Sequence, residues 1–134
     1  GTGYQGTGSI DFLVFPATGR LHVHVCEVNA RVTGATYPSL LARRFRPDGA
    51  WLMRNFGFDG CLDTARTFAV LESRGLLYRP GAPSGALPIN LIAGPGGRLT
   101  KGQVLFLDES PAACRELVER FVRAMPPRCV YDRD

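Results

Sequence analysis

Two segments rich in β-branched and aromatic residues, Ser9–Phe15 (SIDFLVF) and Leu21–Asn29 (LHVHVCEVN), flank Pro16–Arg20 (PATGR). Strand formers bounded by Pro and Gly read as two strands and a turn, so the opening of the chain predicts a β-hairpin with a short loop. Side chains alternate between the two faces of such a ribbon. In the second strand, Leu21, Val23 and Val25 fall on one face and His22 and His24 on the other. A turn centred near Thr18 pairs residues whose numbers sum to about 36 to 38. Asp11 and Glu27 sum to an even total in that range, so regular alternation sets both carboxylates on one face, directly opposed or one diagonal step apart. Asn29, two residues past Glu27, shares that face. The same parity assigns His22, His24 and Cys26 to the opposite face, with the histidines as exposed strand residues and Cys26 as a packing residue.

Opposed carboxylates on a sheet repel one another, and a divalent cation removes that cost. Magnesium takes hard oxygen ligands, only a few of them from protein, the rest coming from water and nucleotide phosphates. Asp11, Glu27 and Asn29 supply a fitting set, whereas a merely solvated face would leave the acids pointing to water. Arg31 follows at the strand exit. If metal and phosphates occupy this face, its guanidinium is placed to stabilise charge on a transferring phosphoryl group.

Downstream, Tyr37–Phe45 reads as a short helix with Pro38 in its first turn and Leu40, Leu41 and Phe45 as its apolar stripe. Trp51–Phe58 has a mixed strand pattern. Leu62–Gly75 reads as a helix with Leu62, Ala65, Ala69 and Leu71 partly inward and Gly75 as its stop. Ala86–Ala93 and Leu99–Leu107 predict a second hairpin across GPGGR. Ser110 is a good N-cap for a helix over Pro111–Met125, in which Leu117, Phe121 and Met125 share one face. The tail 126–134 reads as frayed. Hairpins mixed with helices argue an α+β fold.

A length of 134 residues suits one modest domain, and 45% hydrophobic with 21% charged residues is the composition of an ordinary globular protein. Net charge is +4, and Lys101 is the single lysine among sixteen basic residues. The arginines are scattered without interleaved aromatics, which argues against nucleic-acid binding. No apolar run approaches a membrane span, so no membrane association is expected. The four cysteines lack zinc-finger spacing and read as free thiols in a reducing cytoplasm. Gly1-Thr-Gly-Tyr-Gln-Gly6 matches G-x-G-x-x-G literally, but it leads into a strand where a dinucleotide site needs a helix. No serine is flanked as a nucleophile elbow. Lys101 and Gln103 share a strand face and read as structurally indifferent. A chain opening on Gly rather than Met looks like part of something longer.

The order G-x-I-D-hydrophobic, hairpin turn, then E-V-N-A-R resembles the C-terminal metal hairpin of ATP-grasp ligases, with the closest likeness to the pheganomycin-type peptide ligases. The motif covers residues 9–31, and the peptide-ligase likeness extends thinly to about residue 125. The resemblance implies an α+β C-terminal ATP-grasp portion over 1–46, with antiparallel hairpins packed against helices, and an α+β C-terminal extension over 47–134. It implies Asp11, Glu27 and Asn29 as ligands of Mg²⁺ (or Mn²⁺) on ATP, and Arg31 as the catalytic contact to an acyl-phosphate. The loop after the motif is similar to the one lining the acceptor-substrate pocket, which implies substrate contacts from Thr33, Gly34 and Thr36. The implied activity is ATP-dependent ligation of amino-acid or peptide carboxylates to amines. The lysines and glycine-rich loop that cover the phosphates in that family have no counterpart in this chain. The expectation is therefore an inactive isolated fragment, completed by a missing N-terminal ATP-grasp half in cis or in trans. The alternative is a non-catalytic accessory or remnant module that binds a partner protein.

Overall fold

The computed structural model describes residues 3, 5–6, 8–34, 36–127 and 129–132, with the side chains of residues 131 and 132 set aside. The chain is α+β and forms two compact units, 1–40 and 41–134.

The first unit is built on the predicted hairpin, β1 (Ser9–Ala17) and β2 (Arg20–Asn29), paired antiparallel. The turn has two residues, Thr18 at φ 49° and Gly19 at φ 74°. Left-handed backbone at both central positions twists the ribbon in the sense its strands favour, and Gly19 adopts it without steric cost. The ladder runs regularly from Ala17–Arg20 to Phe12–Val25, and then the register shifts so that Asp11 pairs with Glu27. One extra residue on β2 is thus accommodated in a β-bulge at Cys26, which is exposed rather than packed.

The bulge corrects the facial assignment of β2. Alternation across a bulge changes parity, so the turn-proximal half of β2 is flipped relative to a regular ladder. One face carries Ser9, Asp11, Leu13 and Phe15 with their partners Asn29, Glu27, His24 and His22. Phe15 stacks on His22 at 5.5 Å between centroids and meets His24 edge-on at 5.2 Å, as neighbours on one face must. The other face carries Ile10, Phe12, Val14 and Pro16 against Val28, Val25, Val23 and Leu21. His22 and His24 therefore share the acid face, contrary to the expectation from regular alternation.

The second unit is centred on a four-stranded antiparallel sheet, formed by β3 (Ala50–Phe58), β4 (Gly85–Ala93), β5 (Leu99–Asp108) and β6 (Val130–Asp132) in the order β4-β5-β3-β6. Alternation along β5 sends Val104 and Phe106 to one face and Leu105 and Leu107 to the other, and all four are buried. The first face packs against α2 (Thr64–Ser73) and α3 (Pro111–Ala124), with Phe56, Phe106 and Phe121 in mutual ring contact. The second face meets Leu41, Ala42 and Phe45 from α1 (Thr36–Phe45), and the Tyr78 hydroxyl donates to the Phe45 carbonyl at 3.0 Å. Leu40 of the expected α1 stripe is exposed.

Ser110 caps α3 through the Ala113 amide, and Leu117, Phe121 and Met125 are all buried, as the spacing predicts. α2 starts later than expected because the Asp63 side chain accepts from the Arg66 amide and fixes the N-cap there. Its buried residues are Thr67 and Leu71, while Ala65 and Ala69 face water. The tail is not frayed over 130–132, where β6 pairs with Phe56–Phe58 of β3. Cys61 and Cys129 form a disulfide, with Cα atoms 5.8 Å apart, which corrects the all-thiol expectation. Cys26 and Cys114 remain free thiols.

Candidate metal face

The acid face is positioned by β1–β2 register. Asp11 and Glu27 are directly paired partners, the closer of the two arrangements that hairpin parity allows. Both are exposed. Ser9–Asn29 is the pair two steps further along, which puts Asn29 on the same face as the two carboxylates. Gly8 presses on this end of the hairpin, since a Cβ there would lie 2.6 Å from the Asn29 backbone oxygen. Only glycine allows that approach, and it holds the exit of β2 against the entry of β1.

The donor set fits a hard cation in part. Two carboxylates and one amide oxygen are the kind and number of protein ligands magnesium accepts when phosphates and water complete its shell. No group of three or more His, Cys, Asp or Glu able to hold a metal occurs among the described residues. The histidines share the acid face without closing onto the acids, so the arrangement lacks the nitrogen-rich shell of a zinc site. The offer is two opposed anions with an amide alongside.

Arg31 lies in a bend just beyond β2 and is exposed. Thr33 and Thr36 close the entry to α1. The Thr33 amide donates to Thr36 Oγ1 at 3.0 Å, the two hydroxyls lie 3.3 Å apart, and the Thr36 amide donates to the Thr33 carbonyl. Thr36 is buried, Thr33 half-buried and Gly34 exposed. The two threonines thus act in a capping arrangement, and of the three expected substrate contacts Gly34 is the most accessible.

The opposite face of the ribbon is chemically the reverse. Ile10, Phe12, Val14, Leu21, Val23, Val25 and Val28 are each 51–73% exposed, an apolar strip with no polar interruption. Parity at the bulge creates this separation, because a regular ladder would have mixed the valines of β2 with the acids. The sequence carried a signal for it, since the apolar spacing in β2 is two up to Val25 and then three to Val28.

No protein-family model, curated protein or solved structure matches the chain. No helix among the described residues is long and apolar enough to cross a membrane.

Proposed function

We propose that this chain supplies the metal-holding wall of an ATP-grasp carboxylate–amine ligase, which forms an amide through an acyl-phosphate intermediate. The observation that carries the reading is the direct pairing of Asp11 with Glu27, with Asn29 on the same face. Two facing carboxylates repel one another, and a cation held between them relieves that repulsion. Bound Mg²⁺ (or Mn²⁺) supplies neutralisation of ATP phosphate charge during phosphoryl transfer. Asp11 and Glu27 would provide anionic ligands, and the Asn29 carboxamide would provide a neutral third. Arg31 steadies the charge that develops on the acyl-phosphate. Thr33, Gly34 and Thr36 contact the incoming amine in this reading, and the substrates are amino-acid or peptide carboxylates and amines.

The apolar face of the same hairpin supports the larger setting. A two-stranded ribbon is marginal in water by itself, and one with an apolar side needs a covering layer. In this reading that layer is the nucleotide-binding half, in cis or in trans, which also brings the phosphate-covering lysines. ATP as co-substrate favours the cytoplasm, while the Cys61–Cys129 disulfide counts against it, since such bonds persist in oxidising compartments.

The second reading is a non-catalytic module that binds a protein partner through the apolar strip. The exposure of that strip favours it, as does the absence of any lysine from the hairpin unit. Phosphate release from ATP by the complete protein, with carboxylate and amine supplied, separates the two. In the ligase reading Glu27→Gln lowers turnover by orders of magnitude with the fold intact. Unchanged turnover removes Glu27 from the site, and no phosphate release with any substrate pair leaves the partner-binding module.

A further inference from the structure

The second unit carries a groove that the metal face does not use. Its floor is the end of the β4-β5-β3 sheet beyond the part covered by α1, and it encloses about 310 Å³ lined by Asn55, Asn90, Ile92, Lys101 and Gln103 among others. Register explains the lining. Gln103 pairs with Asn55 on one side and Asn90 on the other, so three carboxamides form a row across three strands. Lys101 is the next residue of β5 on that face, paired with Ile92 on one side and with Gly57, which has no side chain, on the other. The result is a cation in an open notch beside a row of amides.

Three features separate this groove from an ordinary polar surface. Lys101 is the single lysine of the chain, and it makes no ion pair among the described residues. Gln103 Nε2 donates to Asn55 Oδ1 at 3.0 Å, which ties two of the three carboxamides together. Continuing along the face, Leu105 and Leu107 are buried, so the polar lining begins where the core cover ends.

We propose that this groove binds a short peptide-like ligand by its terminal carboxylate. Lys101 takes the carboxylate in a charge-assisted hydrogen bond. Asn90, with both donors and an acceptor, and Asn55, whose Oδ1 already accepts from Gln103 and whose amide donates, match the N–H and C=O groups of the adjoining peptide units. Ile92 provides an apolar wall for one side chain. The volume lies at the lower end of small-ligand sites and suits about two residues. A multiply charged phosphate group fits less well, because one ammonium and neutral amides replace the guanidinium cluster such a ligand favours. The site lies wholly within the second unit and does not depend on the metal reading of the hairpin.

The test is an NMR titration of the full chain with acetyl-Ala-Ala, its C-terminal amide and inorganic phosphate, each to about 10 mM. The expected result is saturable shifts at Asn55, Asn90, Lys101, Gly102 and Gln103 for the free carboxylate, with about tenfold weaker binding of the amide. Lys101→Gln abolishes the preference for the carboxylate, Asn90→Ala weakens both ligands, and Glu27→Gln changes neither. Both groove positions are exposed, so each variant retains its fold and serves as a check on the other. Absence of shifts in these residues overturns the proposal, as does equal binding of carboxylate and amide. Phosphate binding as tight as the dipeptide at the same residues overturns it in favour of a general anion site.

Discussion

Breaking the Cys61–Cys129 disulfide tests how the second unit is held together. The bond joins residues 68 apart in sequence. In the chain-entropy treatment, closing a loop of that length removes about 4 kcal/mol of freedom from the unfolded chain. The native state retains other restraints at the same place. β6 pairs with β3 through Phe56–Phe58, and the Asp59 amide donates to the Cys129 carbonyl at 3.1 Å. These local contacts survive reduction, so most of the effect lies in the unfolded state, and a loss of about 2–4 kcal/mol is expected. For a unit of this size each kcal/mol moves the midpoint by about 4–8 °C, so the thermal midpoint falls by about 8–32 °C. The assay is thermal unfolding followed by circular dichroism, for the oxidised protein, the reduced protein and the Cys61→Ser/Cys129→Ser variant. The last two should coincide, because Cys26 and Cys114 take no part in the bond. Hydrogen exchange should show the β3–β6 amides opening first in the reduced form. A midpoint shift below about 3 °C would refute the reasoning, since it would mean that the cross-link restrains nothing the fold does not already restrain.

Phe121→Ala removes the ring that packs 4.9 Å from Phe56 and 5.4 Å from Phe106, and should cost about 3–5 kcal/mol in urea unfolding, with a cost below 1 kcal/mol contradicting the aromatic core. Cys114 is held above its ordinary thiol pKa, first by burial and then by the nearby Asp108 carboxylate, and its thiol lies 3.7 Å from the Phe106 carbonyl it donates to. Its contribution to stability is therefore complete below the unfolded thiol pKa and is lost as pH rises through the higher folded value. Urea midpoints of the wild type should fall above about pH 9 more steeply than those of Cys114→Ala, and alkylation of the native protein at neutral pH should label Cys26 alone. Gly8→Ala forces the chain away from the Asn29 carbonyl, so shift changes in NMR spectra should concentrate at residues 9–11 and 27–30 and divalent-cation affinity should drop. Changes spread evenly over the chain would contradict that local role.

Much of this architecture was legible because local signals agreed with one another. The Thr18–Gly19 turn, the Ser110 cap, the Gly75 stop and the buried run of Leu117, Phe121 and Met125 each follow from chemistry within a few residues. The pairing of Asp11 with Glu27 was legible only in part, since the two-residue turn sets a register in which Asp11 would face Cys26, and the bulge at Cys26 carries it on to Glu27. The facial assignment of His22 and His24 was not, because a single inserted residue at Cys26 reverses parity and alternation alone assumes that none is present. The Val25-to-Val28 spacing was the trace it left. Contacts distant in sequence were illegible in principle. Nothing near Cys61 names Cys129, nothing near Phe56 names β6, and the row formed by Asn55, Gln103 and Asn90 exists only after three strands have paired. The comparatively late start of α2 shows a smaller version of the same problem, with Asp63 competing with apolar periodicity for the helix boundary.

The central claim is that Asp11, Glu27 and Asn29 form one wall of a divalent-metal site, and paramagnetic broadening by Mn²⁺ tests it most directly. Substoichiometric Mn²⁺ added to the chain should broaden amide signals around Asp11, Glu27 and Asn29 first, Mg²⁺ should compete it away, and Glu27→Gln should abolish the effect. Broadening centred on His22 and His24 that survives Glu27→Gln, or no broadening of the hairpin at all, would contradict the account.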